Sequence, residues 1–253
     1  MFQLKSKNNT PLSVTDYSAV IGKKRPFATA EAHKRLRTNV MFSFAEDSDC
    51  RVIGVTSAMA HEGKSITSIN LAYDLMMAGQ KVLLIDADMR MSNFKKMLDL
   101  NQSPGLSNLL VSKEDSIKCI QASAQLDGLR IIACGDTPPN PSELLASKRM
   151  AAVVGSLRNV FDYIIIDLPP VVAVTDALIV SKMTDGMIIV ARQEYADKRL
   201  IDDTVRQLQM QEANIIGFVV NCSHIENKYY GGKYGKYGKY SKYGYYKHGY
   251  YKQ

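Results

Sequence analysis

Two groups of residues in this 253-residue chain could do chemistry: a lysine and a serine followed by three strand-end carboxylates, and a dense run of tyrosines near the C-terminus. The first group begins where RVIGVTS runs into SAMAHEGKSITSINLA, residues 57–72. There Gly63-Lys64-Ser65 opens a helical segment, an arrangement in which backbone N–H groups and a helix N-terminus cradle phosphate. Lys64 would reach the β- and γ-phosphates of a nucleotide, and Ser65 would offer its hydroxyl to Mg²⁺. The candidate nucleotide-binding loop is Ala60, His61, Glu62, Gly63, Lys64, Ser65 and Ile66. The pattern GxxxxGK[ST] expects a glycine at position 58, where this chain has Ala58, so the motif is incomplete by itself.

The carboxylates supply its context. The next apolar run ends in Asp86-Ala87-Asp88-Met89-Arg90, and Asp167 closes YIIID in the Walker B form. Open α/β folds bind ligands at the carboxyl edge of the sheet, where these three residues would sit. Single aspartates at strand ends are ordinary turn residues. Three of them downstream of a GKS loop would be costly without a cation, and Mg²⁺ is the candidate.

The second group is Tyr229, Tyr230, Tyr234, Tyr237, Tyr240, Tyr243, Tyr245, Tyr246, Tyr250 and Tyr251, ten of the chain's fourteen tyrosines. Residues 228–253 also hold seven lysines and no Asp, Glu, Leu, Ile, Val or Phe. Such a segment cannot offset its ordering entropy by burial, so it is expected to be a mobile, disordered tail. It carries the whole net charge of +7, and the preceding 227 residues balance to zero.

These groups must be positioned by the elements around them. The runs 51–57, 81–88, 129–133, 163–167, 187–191 and 215–220 are β-branched and nearly continuous, the pattern of strands buried on both faces of a parallel sheet. Helix-length segments separate them and suit right-handed crossovers. The expected fold is α/β, a doubly wound, mostly parallel sheet of the P-loop NTPase kind. From Ala30 to Phe44, Leu36, Val40 and Phe44 recur every four residues, which predicts an amphipathic helix. Boundaries follow: residues 1–28 as an N-terminal loop segment, 29–227 as the P-loop domain with that helix, and 228–253 as the tail. The cysteines show no metal-ligand spacing, and neither do His33, His61, His224 and His248. No signal-like or membrane-length apolar run is present, so work at a membrane would need a partner.

SAMAHEGKS, LLIDADMR, PPNPSELLAS (138–147), IIIDLPPV and the C-terminal tyrosine cluster together resemble the bacterial tyrosine kinases of capsule and exopolysaccharide systems. That family is related to MinD/ParA-like P-loop ATPases and not to eukaryotic kinases. The resemblance, from about Ala28 to the end, implies that GKS is the Walker A motif, Asp86 and Asp88 the family's additional Walker A′ motif, and Asp167 Walker B. It implies ATP and Mg²⁺, with Ser65, Asp88 and Asp167 at the metal and Lys64, Asp86, Asp88 and Asp167 as the catalytic set. Asn221 matches the position at which relatives hydrogen-bond adenine. The family's E-x-x-R-x-x-R ring-interface motif falls on Glu31, Lys34 and Arg37, with Lys34 replacing the first Arg. Glu31 and Lys34 would equally make an ordinary intrahelical pair.

On this reading the tail is the substrate. A tyrosine hydroxyl, with a pKa of about 10, needs a base; Asp86 is assigned that role and Asp88 the metal, although the two could be exchanged. The resemblance further implies phosphorylation in trans within a homo-oligomeric ring and a separate transmembrane activator that recruits a cytoplasmic protein to the inner membrane face. A cognate tyrosine phosphatase is implied too, and no nucleic acid. The alternatives are a MinD/ParA-like ATPase switch with a passive adhesive tail, and a nucleic-acid binder using the Lys/Tyr tail.

Overall fold

The computed structural model describes residues 20–44, 50–112 and 116–223. The ten tail tyrosines and the expected mobility of residues 228–253 lie outside the described residues, as do the first nineteen residues of the expected N-terminal loop.

A seven-stranded sheet carries the chain. Its strands are β1 (Arg51–Ser57), β2 (Val82–Asp86), β3 (Ile120–Ser123), β4 (Leu129–Ile132), β5 (Tyr163–Asp167), β6 (Gly186–Arg192) and β7 (Ile215–Asn221). They lie in the order β3-β4-β2-β5-β1-β6-β7, and all neighbours are parallel except β3 against β4. Helices α1 (Phe27–Met41), α2 (Lys64–Met77), α3 (Phe94–Leu98), α4 (Leu106–Val111), α5 (Ser116–Cys119), α6 (Pro141–Leu145), α7 (Lys148–Leu157), α8 (Asp176–Ser181) and α9 (Lys198–Met210) complete it. β1, β2 and β5 are buried along almost their whole length, as their continuous apolar runs require. Alternate strand residues face two apolar clusters: Leu83, Ile164 and Ile166 enter one, and Leu84, Ile53 and Ile165 the other.

Register places the chemistry. β5 pairs with both β1 and β2, bringing Asp167 opposite Asp86 on one side and Val55 on the other. The loop after β1 therefore leaves the sheet beside the ends of β5 and β2.

Three expectations change. β7 is an edge strand, partly buried or exposed throughout, with Phe218 52% and Val220 60% exposed, rather than buried on both faces. β3, an antiparallel edge strand of sequence IQAS, has no apolar run to mark it and owes its existence to pairing with β4. Helix α1 begins at Phe27, after Pro26, and ends before Phe44, which still packs on the core with Leu36. Residues 20–26 are attached to the domain: Ile21 is buried, and Arg25 makes a bidentate ion pair with Asp74 of α2 at 3.0 and 2.5 Å.

Candidate active site

The loop between β1 and α2 is built for an anion. Gly63 sits at φ +91°, and a Cβ there would lie 1.9 Å from Asn221 Nδ2, so only glycine fits. Among the described residues no side chain caps α2, which leaves the first-turn N–H groups of Lys64, Ser65 and Ile66 without a side-chain acceptor there. Ala58 is buried with its φ outside the left-handed region, so the glycine that the motif expects there is not needed. The left-handed residue of this loop ahead of Gly63 is His61, at φ +63°. The loop's start is tied to the segment after β5: Val171 N–H donates to the Ser57 carbonyl at 3.0 Å, and Thr56 Oγ1 to the Pro169 carbonyl at 2.8 Å.

Beneath the loop the three predicted carboxylates converge with Lys64 and Ser65. The Lys64 ammonium donates to Asp88 Oδ2 at 2.9 Å and lies 4.0 Å from Asp167 Oδ2. Ser65 Oγ donates to Asp167 Oδ2 at 2.7 Å, and Ser68 Oγ to Asp167 Oδ1 at 2.8 Å. Asp86 accepts the Asp88 N–H at 3.2 Å and the Ser92 hydroxyl. Burial pushes the Asp86 carboxyl well above the usual carboxylate range, and Asp167 adds to the effect. Asp167 is raised too, by burial, with Lys64, Ser65 and Ser68 opposing. Burial disfavours the Lys64 charge, yet Asp167, Asp88 and Asp86 outweigh that effect and keep its pKa above the ordinary lysine value.

Three buried acids thus face one ammonium, an arrangement that favours a further cation. Among the described residues no three His, Cys, Asp or Glu side chains are placed to hold a metal by themselves. Ser65, Asp167 and Asp88 are nevertheless the hard oxygen donors that Mg²⁺ accepts, and Mg²⁺ usually completes its shell with water and substrate phosphates. The uncapped α2 N-terminus beside them fits those phosphates.

Comparison with known proteins decides which P-loop family this is. The family profile described as an AAA domain matches residues 50–217. A protein named as the putative tyrosine-protein kinase CapB of Staphylococcus aureus is 35% identical over 210 residues, covering 80% of this chain and 90% of that protein. The chain belongs to the bacterial tyrosine kinase family. The solved kinase domain of Escherichia coli tyrosine kinase ETK has a TM-score of 0.72 and 30% identity, covering 79% of this chain and 80% of that one. The cell division ATPase MinD of Pyrococcus furiosus, with a TM-score of 0.58 and 23% identity, shares the fold alone.

Several other predicted residues of this bacterial tyrosine kinase have particular placements. Glu62 is fully buried, and its carboxylate accepts the Met59 N–H at 2.7 Å, so its side chain serves the loop itself. The Asn221 amide donates to the Glu62 carbonyl at 3.0 Å. His61 is exposed at the loop surface. On α1, Lys34 pairs with Glu31 at 2.8 Å, the ordinary intrahelical contact, with both side chains about half exposed. Arg37 turns inward instead, donating to the Asp74 carbonyl at 3.4 Å, with its Nε buried and lacking a hydrogen-bond partner among the described residues. Sequence reasoning missed Ser68 and Ser92. Ser68 lies four residues after Lys64, a helical spacing that could have placed it on the same face. It also missed that Arg90 of DADMR bonds Asp176 at 3.0 and 3.2 Å and Ser142 of PPNPSELL at 2.8 Å, joining two quoted motifs across the site.

Proposed function

We propose that this protein is an ATP-dependent protein-tyrosine autokinase that phosphorylates the tyrosines of residues 229–251 in trans. The observation that carries the reading is the convergence of Lys64, Ser65, Asp86, Asp88 and Asp167 beside the uncapped N-terminus of α2. Family membership and the tyrosine-rich tail supply the acceptor.

Phosphoryl transfer asks a protein for positioning and charge stabilisation more than for covalent chemistry. Here the N–H groups at the start of α2 bind phosphate oxygens, and Lys64, held as an ammonium by three acids, places its charge beside them. A Mg²⁺ ion held by Ser65 and Asp167, with Asp88, would neutralise charge on the transferring group. Asp86, at the end of β2 beside Asp167, accepts the tyrosine proton, and the burial that raises its pKa above the usual carboxylate range makes it the stronger base. Asp88 and Asp86 could exchange these roles. Asn221 is the residue assigned to adenine.

A tail of some twenty-five residues can span tens of ångströms, enough to reach a neighbouring subunit's site. Delivery between subunits suits a homo-oligomeric ring in which Glu31, Lys34 and Arg37 of α1 take part. Among the described residues no helix is long and apolar enough to cross a membrane. We assign recruitment to the inner membrane face, and activation, to a separate transmembrane partner, and reversal to a cognate tyrosine phosphatase, as family membership suggests. The process regulated is capsule or exopolysaccharide synthesis and export.

Incubation of the purified chain with Mg-ATP should yield phosphotyrosine, and Lys64→Met should abolish it while the melting curve stays cooperative. Full labelling of the Lys64→Met chain would contradict the assignment.

A further inference from the structure

Glu62 and Asn221 tie the phosphate loop to the ends of two strands, β6 and β7, and to its own first half. The buried Glu62 carboxylate accepts the Met59 N–H at 2.7 Å and the Arg192 N–H, at the end of β6, at 3.5 Å. Its main-chain carbonyl accepts Asn221 Nδ2, from the end of β7, at 3.0 Å. The Asn221 amide is held in that orientation by its other end, since Oδ1 accepts the Cys222 N–H at 2.8 Å. β7 is fixed beside β6 in turn, with Gln193 N–H donating to the Asn221 carbonyl at 3.0 Å.

The pinned peptide matters because of its neighbours. Glu62 lies between His61 at φ +63° and Gly63 at φ +91°, two left-handed residues in three. A non-glycine residue in that region costs on the order of 1 kcal/mol and persists only where surrounding contacts over-determine it. A trans peptide is planar, with its C=O and N–H pointing in opposite directions. Fixing the Glu62 carbonyl toward Asn221 therefore fixes the Gly63 N–H away from β7, next to the uncapped first turn of α2.

We propose that Glu62 and Asn221 form a bracket that presets the loop for a triphosphate, making Asn221 a positioning residue for the phosphate end of the nucleotide and not only a reader of its base. The bracket rests on the nucleotide reading above. It also links the phosphate loop to the strand from which the tail departs, because Asn221 is the last residue of β7.

The test compares a ligand with a base and one without. Binding of ATP and of inorganic triphosphate, each with Mg²⁺, is measured by calorimetry on the full-length wild type and Asn221→Ala, well below their melting temperatures. Losing one loop-fixing hydrogen bond should weaken inorganic triphosphate roughly tenfold, and ATP by at least that factor. Glu62→Gln, which offers one acceptor oxygen where Glu62 offers two, should weaken both ligands by the same factor and provides the test if Asn221→Ala does not fold. Weakening of ATP alone would make Asn221 a base contact and overturn the bracket, as would unchanged binding of both ligands. A wild type that binds neither ligand would instead overturn the nucleotide site, and the bracket with it.

Discussion

At the scale of single residues, the site concentrates acid where the fold alone would avoid it. Asp86, Asp88 and Asp167 are almost fully buried, with Lys64 as their ammonium partner. Burial, reinforced by Asp167, raises the Asp86 pKa in the folded state. A group raised in this way contributes stability below its unfolded value of 3.8, and that contribution is lost as pH rises through the folded value. Asp86→Asn should therefore melt higher than wild type at neutral pH without nucleotide, with the gap closing as the solution approaches about pH 4. The same variant should lose the base and slow tyrosine phosphorylation by roughly 10²- to 10⁴-fold. Equal melting temperatures at all pH values would mean that Asp86 imposes no buried charge. Lys64, Ser65, Asp86 and Asp167 were legible from sequence because each closes a strand or opens a helix, and topology brings such positions together; Asp88 lies two residues past the end of β2, which stops at Asp86 rather than running through the expected 81–88. Ser92 was not legible, because it meets Asp86 only through a folded loop, and Asp176, although it opens α8, was not, because its partner Arg90 lies in a loop 86 positions away.

At the scale of elements, the strands that run through the centre of the sheet announced themselves by continuous apolar sequence, and β1 and β5 occupy the runs expected of them. Edge elements did not. β7 looks like a central strand in sequence yet has a neighbour on one side only, while β3 exists through its pairing. Attachment of the N-terminal segment was likewise hidden, because it depends on Arg25 meeting Asp74 from 49 positions away. That pair is 4% and 5% exposed, the Arg25 Nε also donates to the Gly22 carbonyl at 2.7 Å, and the Gly22 N–H donates to Asn70 Oδ1 of α2 at 3.1 Å. The segment leading into α1 is thereby fastened to the helix that begins with Lys64. Arg25→Met would strand the buried Asp74 carboxylate and should cost roughly 3–5 kcal/mol in denaturant unfolding. Adding Asp74→Leu should recover most of that loss, since the double variant leaves no unpaired charge. A single variant as stable as wild type would mean that the buried pair does not fasten the segment to α2.

At the scale of the whole molecule, charge is divided between residues 1–227, which balance to zero, and a tail with seven lysines, and the acceptor role proposed for that tail rests on family membership together with its tyrosines. At about −1.5 to −2 per phosphate, four or five phosphotyrosines would cancel those lysines and further ones would reverse the sign, so repulsion between tails could help a ring come apart. All of this depends on transfer from one chain's site to another chain's tail. The direct measurement mixes two proteins with Mg-ATP: a chain truncated after Asn227, which retains Lys64, the three carboxylates and Asn221, and a full-length Lys64→Met chain, which keeps the acceptor tail but lacks the active-site lysine. Phosphotyrosine should appear on the Lys64→Met chain alone, at an initial rate that rises with protein concentration. No labelling of that chain, with the wild type active under the same conditions, would contradict transfer in trans.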